Sequence, residues 1–323
     1  MFRLTFPFFA LILAGYVVVV RRVLTTDAVR ALNTFVLYVA LPCMLFKFSA
    51  GLDLATLVSQ PFIPIYGAVG LTLFSLLLAW GRWRGIRWKD MSFAALIGVF
   101  PNTGFMGVPL LVSMMGARAA TPAVAIVLFD MIVTSSLAVA ASTLDGHGWS
   151  SARKALVGAV AGVFSNPMLW SMLIGIVFAA MHWQPGPVWH EPIWLMADAA
   201  TPVALFTMGG ILARSRIEGT QTARSEPDAV LVIAKLIAHP LLMCGAIIAV
   251  RSAGGSIESW MAQSLVLLAA LPGASNVSFL TERMGGNAAW VARVILWSTV
   301  GAFATFSFWG WTLSRQRARS ALR

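Results

Sequence analysis

Two apolar segments of the chain combine helix-breaking residues with an asparagine side chain. The residues concerned are Pro101, Asn102, Thr103, Gly104, Gly107 and Pro109 in the first segment, and Pro272, Gly273, Ser275 and Asn276 in the second. Proline lacks an amide hydrogen and clashes with the preceding helical turn, so each segment should break as a helix near its middle.

A break leaves free carbonyls on one side and free amides on the other, and an asparagine amide can both donate and accept. In lipid such backbone must be buried in protein or line a wet cavity, so we expect the two breaks to meet. Two matching breaks are typical of a binding site for a small solute. The alternative is a pair of ordinary proline kinks satisfied by neighbouring helices.

Three titratable residues lie inside other apolar segments and are candidates for proton or charge coupling. Asp130 is predicted to be buried, either as a proton-carrying or substrate-orienting group or as a neutral, hydrogen-bonded carboxyl. Lys235 lies near a segment end, so we expect it to extend to the membrane surface; facing inward, it would be a counter-charge for a carboxylate. His239 precedes Pro240 and is expected to hydrogen-bond at a kink rather than relay protons.

The composition predicts the elements that position these residues. Of 323 residues, 59% are hydrophobic and 11% are charged, in apolar blocks close to the ~20 residues that cross a bilayer core. The pattern predicts an all-α polytopic membrane protein with ten transmembrane helices, five in each half. The predicted spans are residues 4–20, 31–49, 62–80, 90–116, 120–143, 167–182, 192–213, 229–250, 259–285 and 288–312.

The two halves resemble each other at a fixed offset. Pro7 and Gly15 recur 160 residues later as Pro167 and Gly175, and residues 41–46 recur as 201–206. After an insertion of 11 residues the offset becomes 171, which pairs the two breaks. We therefore predict a first repeat at 1–143, a linker at 144–166 with a short interfacial helix, a second repeat at 167–313, and a basic tail at 314–323. The prolines expected to act as structural hinges are Pro42, Pro202 and Pro240.

The net charge of +11 would suggest nucleic acid as the partner of a soluble protein, but here the basic residues fall in alternate loops. Twelve lie in one set of loops and two in the other, which predicts a cytoplasmic 144–166 linker and both termini outside. The arginine-rich tail disagrees with this orientation. The location predicted is the plasma membrane, which is the inner membrane of a bacterium.

Motifs for other classes of protein are missing from the sequence. It has no zinc, redox, dinucleotide or Walker motif, and Cys43 and Cys244 lie within apolar segments, so no metal, cofactor or ATP drive is expected. An aspartyl protease would use Asp130 and Asp198 but lacks the accompanying motif, so no enzyme is predicted. Gly158-x-x-x-Gly162 and Gly81-x-x-x-Gly85 permit close helix approach, which is compatible with a homodimer but does not establish one.

Six motifs in order along the chain are similar to the auxin efflux carrier family. They are Leu41-Pro42 with Leu45-Phe46, Asn102 to Pro109, Asn166-Pro167, Thr201-Pro202 with Ala204 to Phe206, Lys235 with His239-Pro240, and Pro272 with Asn276. The short chain resembles the bacterial members, including malonate-type carriers.

The resemblance implies two inverted five-helix repeats in which broken helices 4 and 9 cross between a scaffold and a moving bundle. This is the fold of sodium/proton antiporters and bile-acid symporters. It also implies alternating-access transport of small organic anions, such as auxin-like or malonate-like carboxylates, with protons as candidate coupling ions.

The alternative is a proton- or sodium-coupled antiporter or symporter on the same fold. Paired acids near the breaks would be expected in that class. None lies between Asp90 and Asp130 or between Glu258 and Glu282.

Overall fold

The computed structural model describes residues 2–164, 166–217 and 228–320, and these form a bundle of helices. Ser165 of the predicted linker, residues 321–323 of the predicted tail, and residues 218–227 lie outside the described residues. The α-helices are α1 Phe2–Val20, α2 Thr26–Phe35, α3 Leu41–Ala50, α4 Leu54–Ser59, α5 Phe62–Trp83, α6 Trp88–Val99, α7 Val108–Met115, α8 Ala120–Phe129, α9 Ser135–Ser142, α10 Leu144–Val163, α11 Pro167–Ala180, α12 Pro187–Ile217, α13 Asp228–Ile233, α14 His239–Ser252, α15 Ser259–Ala269, α16 Asn276–Arg283 and α17 Ala288–Ser320.

Among the described residues, six helical stretches are long and apolar enough to cross a membrane. They are Thr26–Ala50, Phe62–Trp83, Ala117–Ser142, Pro187–Arg214, Asp228–Ser252 and Ala288–Leu313. A seventh span forms if α10 and α11, bent by 62°, are taken together. The protein is therefore a multi-pass membrane protein, and the count of ten spans stays a prediction. A helix does cover the predicted interfacial segment, as part of α10.

Four π-helical turns interrupt the α-helices, and three of them come just before a proline. The turns are Val36–Ala40, Thr103–Gly107, Asp130–Thr134 and Ala234–Ala238, and Pro42, Pro109 and Pro240 follow within two residues of three turns. A proline ring clashes with the carbonyl one turn earlier, and a wider turn relieves that clash. The helix is thus irregular at the predicted hinges Pro42 and Pro240, whereas α12 runs continuously through Pro202.

One packed group of helices contains segments from both halves of the chain, which contact each other across the group. Its members are α1, α2, α3, α11 and α12. A Cβ atom on Gly15 of α1 would lie 1.9 Å from the Phe206 carbonyl oxygen of α12. A Cβ atom on Gly175 of α11 would lie 2.8 Å from the Phe46 carbonyl oxygen of α3. Both pairs are related by the 160-residue offset, so one contact is made twice, each time between the two halves.

The remaining helices form a second group that contains both helix breaks. In it α5 packs against α6 and α14, α6 against α9 and α17, and α15 against α14 and α17. The two groups meet where α12 contacts the π-helical turn Thr103–Gly107 and where α3 contacts α8. The breaks therefore lie beside the boundary between the groups.

Candidate functional site

The two helix breaks cross and satisfy each other's backbone. Pro101 and Gly273 form an antiparallel bridge: the Asn102 amide donates to the Pro272 carbonyl at 2.8 Å, and the Ala274 amide donates to the Phe100 carbonyl at 3.0 Å. A continuous helix would direct both amides to carbonyls of their own segment. The expectation that the breaks meet is therefore confirmed.

Glycine permits the close approach of the two segments. A Cβ atom on Gly273 would lie 2.7 Å from the Ile97 side chain and 3.1 Å from its carbonyl oxygen, and one on Gly107 would lie 2.6 Å from the Leu271 side chain. A Cβ atom on Gly104, in contrast, would meet no heavy atom within 4 Å. Open space therefore lies beside Gly104, near the start of the helical segment that follows the first break.

Three buried polar atoms at the crossing have no hydrogen-bond partner among the described residues: Asn102 Oδ1, Thr103 Oγ1 and Asn276 Oδ1. Asn102 is only 1% exposed, and its Nδ2 makes just a 3.5 Å contact with Met208 Sδ of α12. An unsatisfied buried polar group costs about 1–3 kcal/mol. Such groups are explained if a bound solute supplies the missing partners.

The crossing also places the ends of four half-helices together. The second halves begin at Thr103 and at Asn276, where Ser275 is the N-cap residue, and Pro109 lies in the first turn of α7. A helix start carries a partial positive charge and a helix end a partial negative charge. No acidic or basic residue lies within 100–108 or 270–278. Among the residues of the two breaks themselves, the helix starts are therefore the electrostatic feature that favours an anion.

Asp130 is not part of either break and is held in a hydrogen-bond group with residues of other segments. It is 1% exposed, its Oδ2 accepts from the Tyr66 hydroxyl at 2.7 Å, and its Oδ1 accepts from the Thr134 hydroxyl at 2.8 Å. Sequence reasoning missed Tyr66, although a lone tyrosine within an otherwise apolar third span was a signal. Asp198 instead pairs with Lys47, so the two aspartates that a protease would need have different partners.

Lys235 is fully buried, so the expectation that it extends to the membrane surface is wrong. Its Nζ lies 3.0 Å from His239 Nδ1 and donates to the Ala269 carbonyl at 3.2 Å. The turn Ala234–Ala238 packs against α6 and α17, and this packing directs the lysine into the bundle. His239 is also fully buried, and its Nε2 has no partner among the described residues. The structure thus brings Lys235 and His239 to one edge of the second break.

A separate cavity of about 580 Å³ lies between α3, α11 and the start of α12. Pro42, Cys43, Phe46, Phe178 and Trp189 contribute to its lining, which contains no charged residue. An apolar cavity of this kind does not suit a small carboxylate. The crossing is therefore the better candidate site for a polar solute.

A multi-pass helical bundle with two crossed, broken helices and unpaired polar groups at the crossing has the architecture of a membrane transporter. Comparison with known proteins agrees: the family model for membrane transport proteins matches residues 1–144 and 150–310. The chain belongs to this family, which includes the auxin efflux carriers, as the sequence motifs indicated.

The relatives that this chain resembles span nearly its whole length. A "Putative malonate transporter" of Rhizobium meliloti (strain 1021) is 30% identical over 305 residues, which cover 94% of this chain and 92% of the relative. An "Uncharacterized transporter" of Methanothermobacter thermautotrophicus is 24% identical over 93% of this chain and 94% of its own. "Uncharacterized transporter YfdV" of Escherichia coli (strain K12) is 24% identical over 94% of each chain.

Proposed function

We propose that this transporter moves small organic anions, of the auxin-like or malonate-like carboxylate class, across the membrane by alternating access. The observation that carries the proposal is the pair of unpaired asparagine oxygens, Asn102 Oδ1 and Asn276 Oδ1, at the starts of the two crossed half-helices. A related protein named as a malonate transporter supports the carboxylate class.

Carboxylate recognition at the crossing would use the asparagine amides and the helix starts together. The oxygen and nitrogen of a side-chain amide are assigned from their hydrogen bonds, and a rotation of each amide would turn Nδ2 toward a bound carboxylate. The amides of Thr103, Val277 and Ser278 already donate to nearby carbonyls. The first amides that could donate to a solute are therefore those of Gly104, Phe105 and Asn276. Open space beside Gly104 gives the solute room at this position.

Alternating access would use the boundary between the two helix groups. The breaks belong to the second group; the turn Thr103–Gly107 contacts α12 and α3 of the first group, and Asn102 touches Met208 of α12. Sliding of the second group past α12 would expose the crossing first to one side and then to the other. We propose the bacterial inner membrane as the location, with the 144–166 linker cytoplasmic, both termini outside, and a homodimer as the assembly.

A second candidate is proton- or sodium-coupled transport of ions on the same scaffold. The observation in its favour is the buried Asp130, whose two carboxyl oxygens are held by Tyr66 and Thr134. A carboxyl inside a membrane-spanning bundle is a functional candidate by default. This function would need no organic anion.

The experiment that separates these functions is uptake into proteoliposomes that contain the purified protein. Radiolabelled malonate, other mono- and dicarboxylates, and an indole carboxylate are offered with and without an imposed proton gradient or a sodium gradient. Saturable uptake of a carboxylate above that of protein-free vesicles supports the proposal. Gradient-driven sodium or proton flux, with no carboxylate uptake by a folded protein, overturns it in favour of the second candidate.

A further inference from the structure

The second break leaves one backbone carbonyl free at the end of α15. In a continuous helix the Gly273 amide would donate to the Ala269 carbonyl, but here it donates to Ser298 Oγ at 3.2 Å. Pro272 has no amide hydrogen to offer in its place. The Ala269 carbonyl therefore lies at the partially negative end of a half-helix without a backbone donor from the following turn.

The ammonium group of Lys235 occupies this position. It reaches the Ala269 carbonyl at 3.2 Å and His239 Nδ1 at 3.0 Å, and Asp130 lies near enough for its carboxyl to interact electrostatically with the lysine. Lys235 and His239 are both fully buried. Burial of an unpaired ammonium is costly, so these groups must stabilise it together.

Backbone carbonyls at the ends of half-helices also hold small cations in transporters with broken helices, and the Ala269 carbonyl is a group of this kind. We propose that Lys235 is a tethered cation, which fills a monovalent-cation site at the end of α15 so that the break keeps its shape without a bound metal ion. Lys235 is then a positioning residue and does not contact the transported solute. The inference goes beyond the proposed function, because it holds for whichever solute crosses.

The proposal predicts that two substitutions of Lys235 differ in whether a small cation stabilises the protein. Lys235→Ala removes the ammonium and its stem and leaves space beside the Ala269 carbonyl, which a small cation can enter. Lys235→Met removes the charge but keeps most of the side-chain volume, so the site stays filled by apolar atoms. Lys154→Ala, at an exposed position of α10, is the control for loss of a lysine charge.

The test is thermal unfolding of the purified proteins in detergent, with sodium, lithium or potassium chloride exchanged for choline chloride at constant ionic strength. We expect Lys235→Ala to unfold at lower temperature than wild type in choline, and its midpoint to rise saturably by about 2 °C or more with at least one small cation. Wild type, Lys235→Met and Lys154→Ala should show no saturable rise. The measurement needs no transport, so an error in the proposed solute would not affect it.

Several outcomes would overturn the assignment. One is a saturable cation effect on wild type, since its site would then not be filled by lysine. Another is a folded Lys235→Ala protein that none of the three cations stabilises. If folded Lys235→Ala protein can be purified only in a medium that contains a small cation, the assignment is supported. If Lys235→Ala does not fold in any medium while Lys235→Met folds, the assignment is overturned.

Discussion

Substitution of Asn102 by alanine should separate binding from folding. Its amide nitrogen makes one long contact with Met208 Sδ, and its oxygen has no partner among the described residues. Removal of this amide therefore deletes no strong hydrogen bond and relieves one unsatisfied buried acceptor. Relief of that acceptor, about 1–3 kcal/mol, opposes the cost of the cavity left by the amide, so we expect little net loss in the free energy of unfolding.

The effect on transport should be much larger. A hydrogen bond from a buried amide to a carboxylate contributes about 1.5–3 kcal/mol, which corresponds to a loss of about 10- to 150-fold in affinity. Asn276→Ala should behave in the same way, because its oxygen is equally unpaired. Ser142→Ala is the matched control: that hydroxyl is buried but bonded to the Val139 carbonyl of its own helix.

The assay is the concentration dependence of uptake into proteoliposomes for the carboxylate that wild type transports best, with thermal unfolding measured on the same preparations. Both asparagine variants should retain wild-type unfolding temperatures and show the weakened affinity, and Ser142→Ala should match wild type in uptake. Wild-type affinity in the Asn102→Ala/Asn276→Ala double variant would refute the assignment of the crossing as the binding site.

Three further predictions concern packing, coupling and pH. Gly15→Ala places a Cβ atom 1.9 Å from a carbonyl oxygen of α12 and should sharply lower the unfolding temperature, while Gly245→Ala, which meets no atom within 4 Å, should leave it unchanged or higher. Asp130→Asn should retain facilitated exchange yet lose acceleration by an imposed proton gradient; a gradient response equal to that of wild type would make this residue purely structural. At the start of α4, the Thr56 hydroxyl and neighbouring amides hold the pKa of Asp53 below its ordinary 3.8, so the cap is fully present above pH 3.8 and is lost as the pH falls below it. Asp53→Asn cannot titrate and serves as the reference. Amide hydrogen exchange in α4 should be faster in wild type than in this variant below pH 3.8, and the two should not differ in this way above it.

The positions of the helix breaks could be predicted from sequence because their cause is local. Pro101 and Pro272 disrupt the backbone hydrogen bonds of their own segments, and lipid cannot satisfy free backbone groups, so the sequence favoured a meeting of the two breaks over separate kinks. The form of the contact, a two-hydrogen-bond bridge with Gly273 against Ile97, depends on tertiary approach and was not foreseeable.

The environment of Lys235 could not be predicted because it depends on which face of a helix turns inward. Its position near a segment end favoured a surface ammonium, but the π-helical turn before Pro240 belongs to a helix packed on several sides. Tyr66 was overlooked for the same reason, since its hydroxyl gains importance only when α5 lies beside the Asp130 turn. Residues whose role comes from partners distant in sequence need the fold before they can be interpreted.

The paired contacts of Gly15 with Phe206 and of Gly175 with Phe46 also bear on how the protein is made. Each helix of the first group has its closest neighbour in the opposite half of the chain. A nascent chain that has inserted only its first half lacks α12, the main neighbour of α1, so the Gly15 face of α1 is without its helix partner. We therefore expect the first group to assemble only after the second half of the chain has inserted.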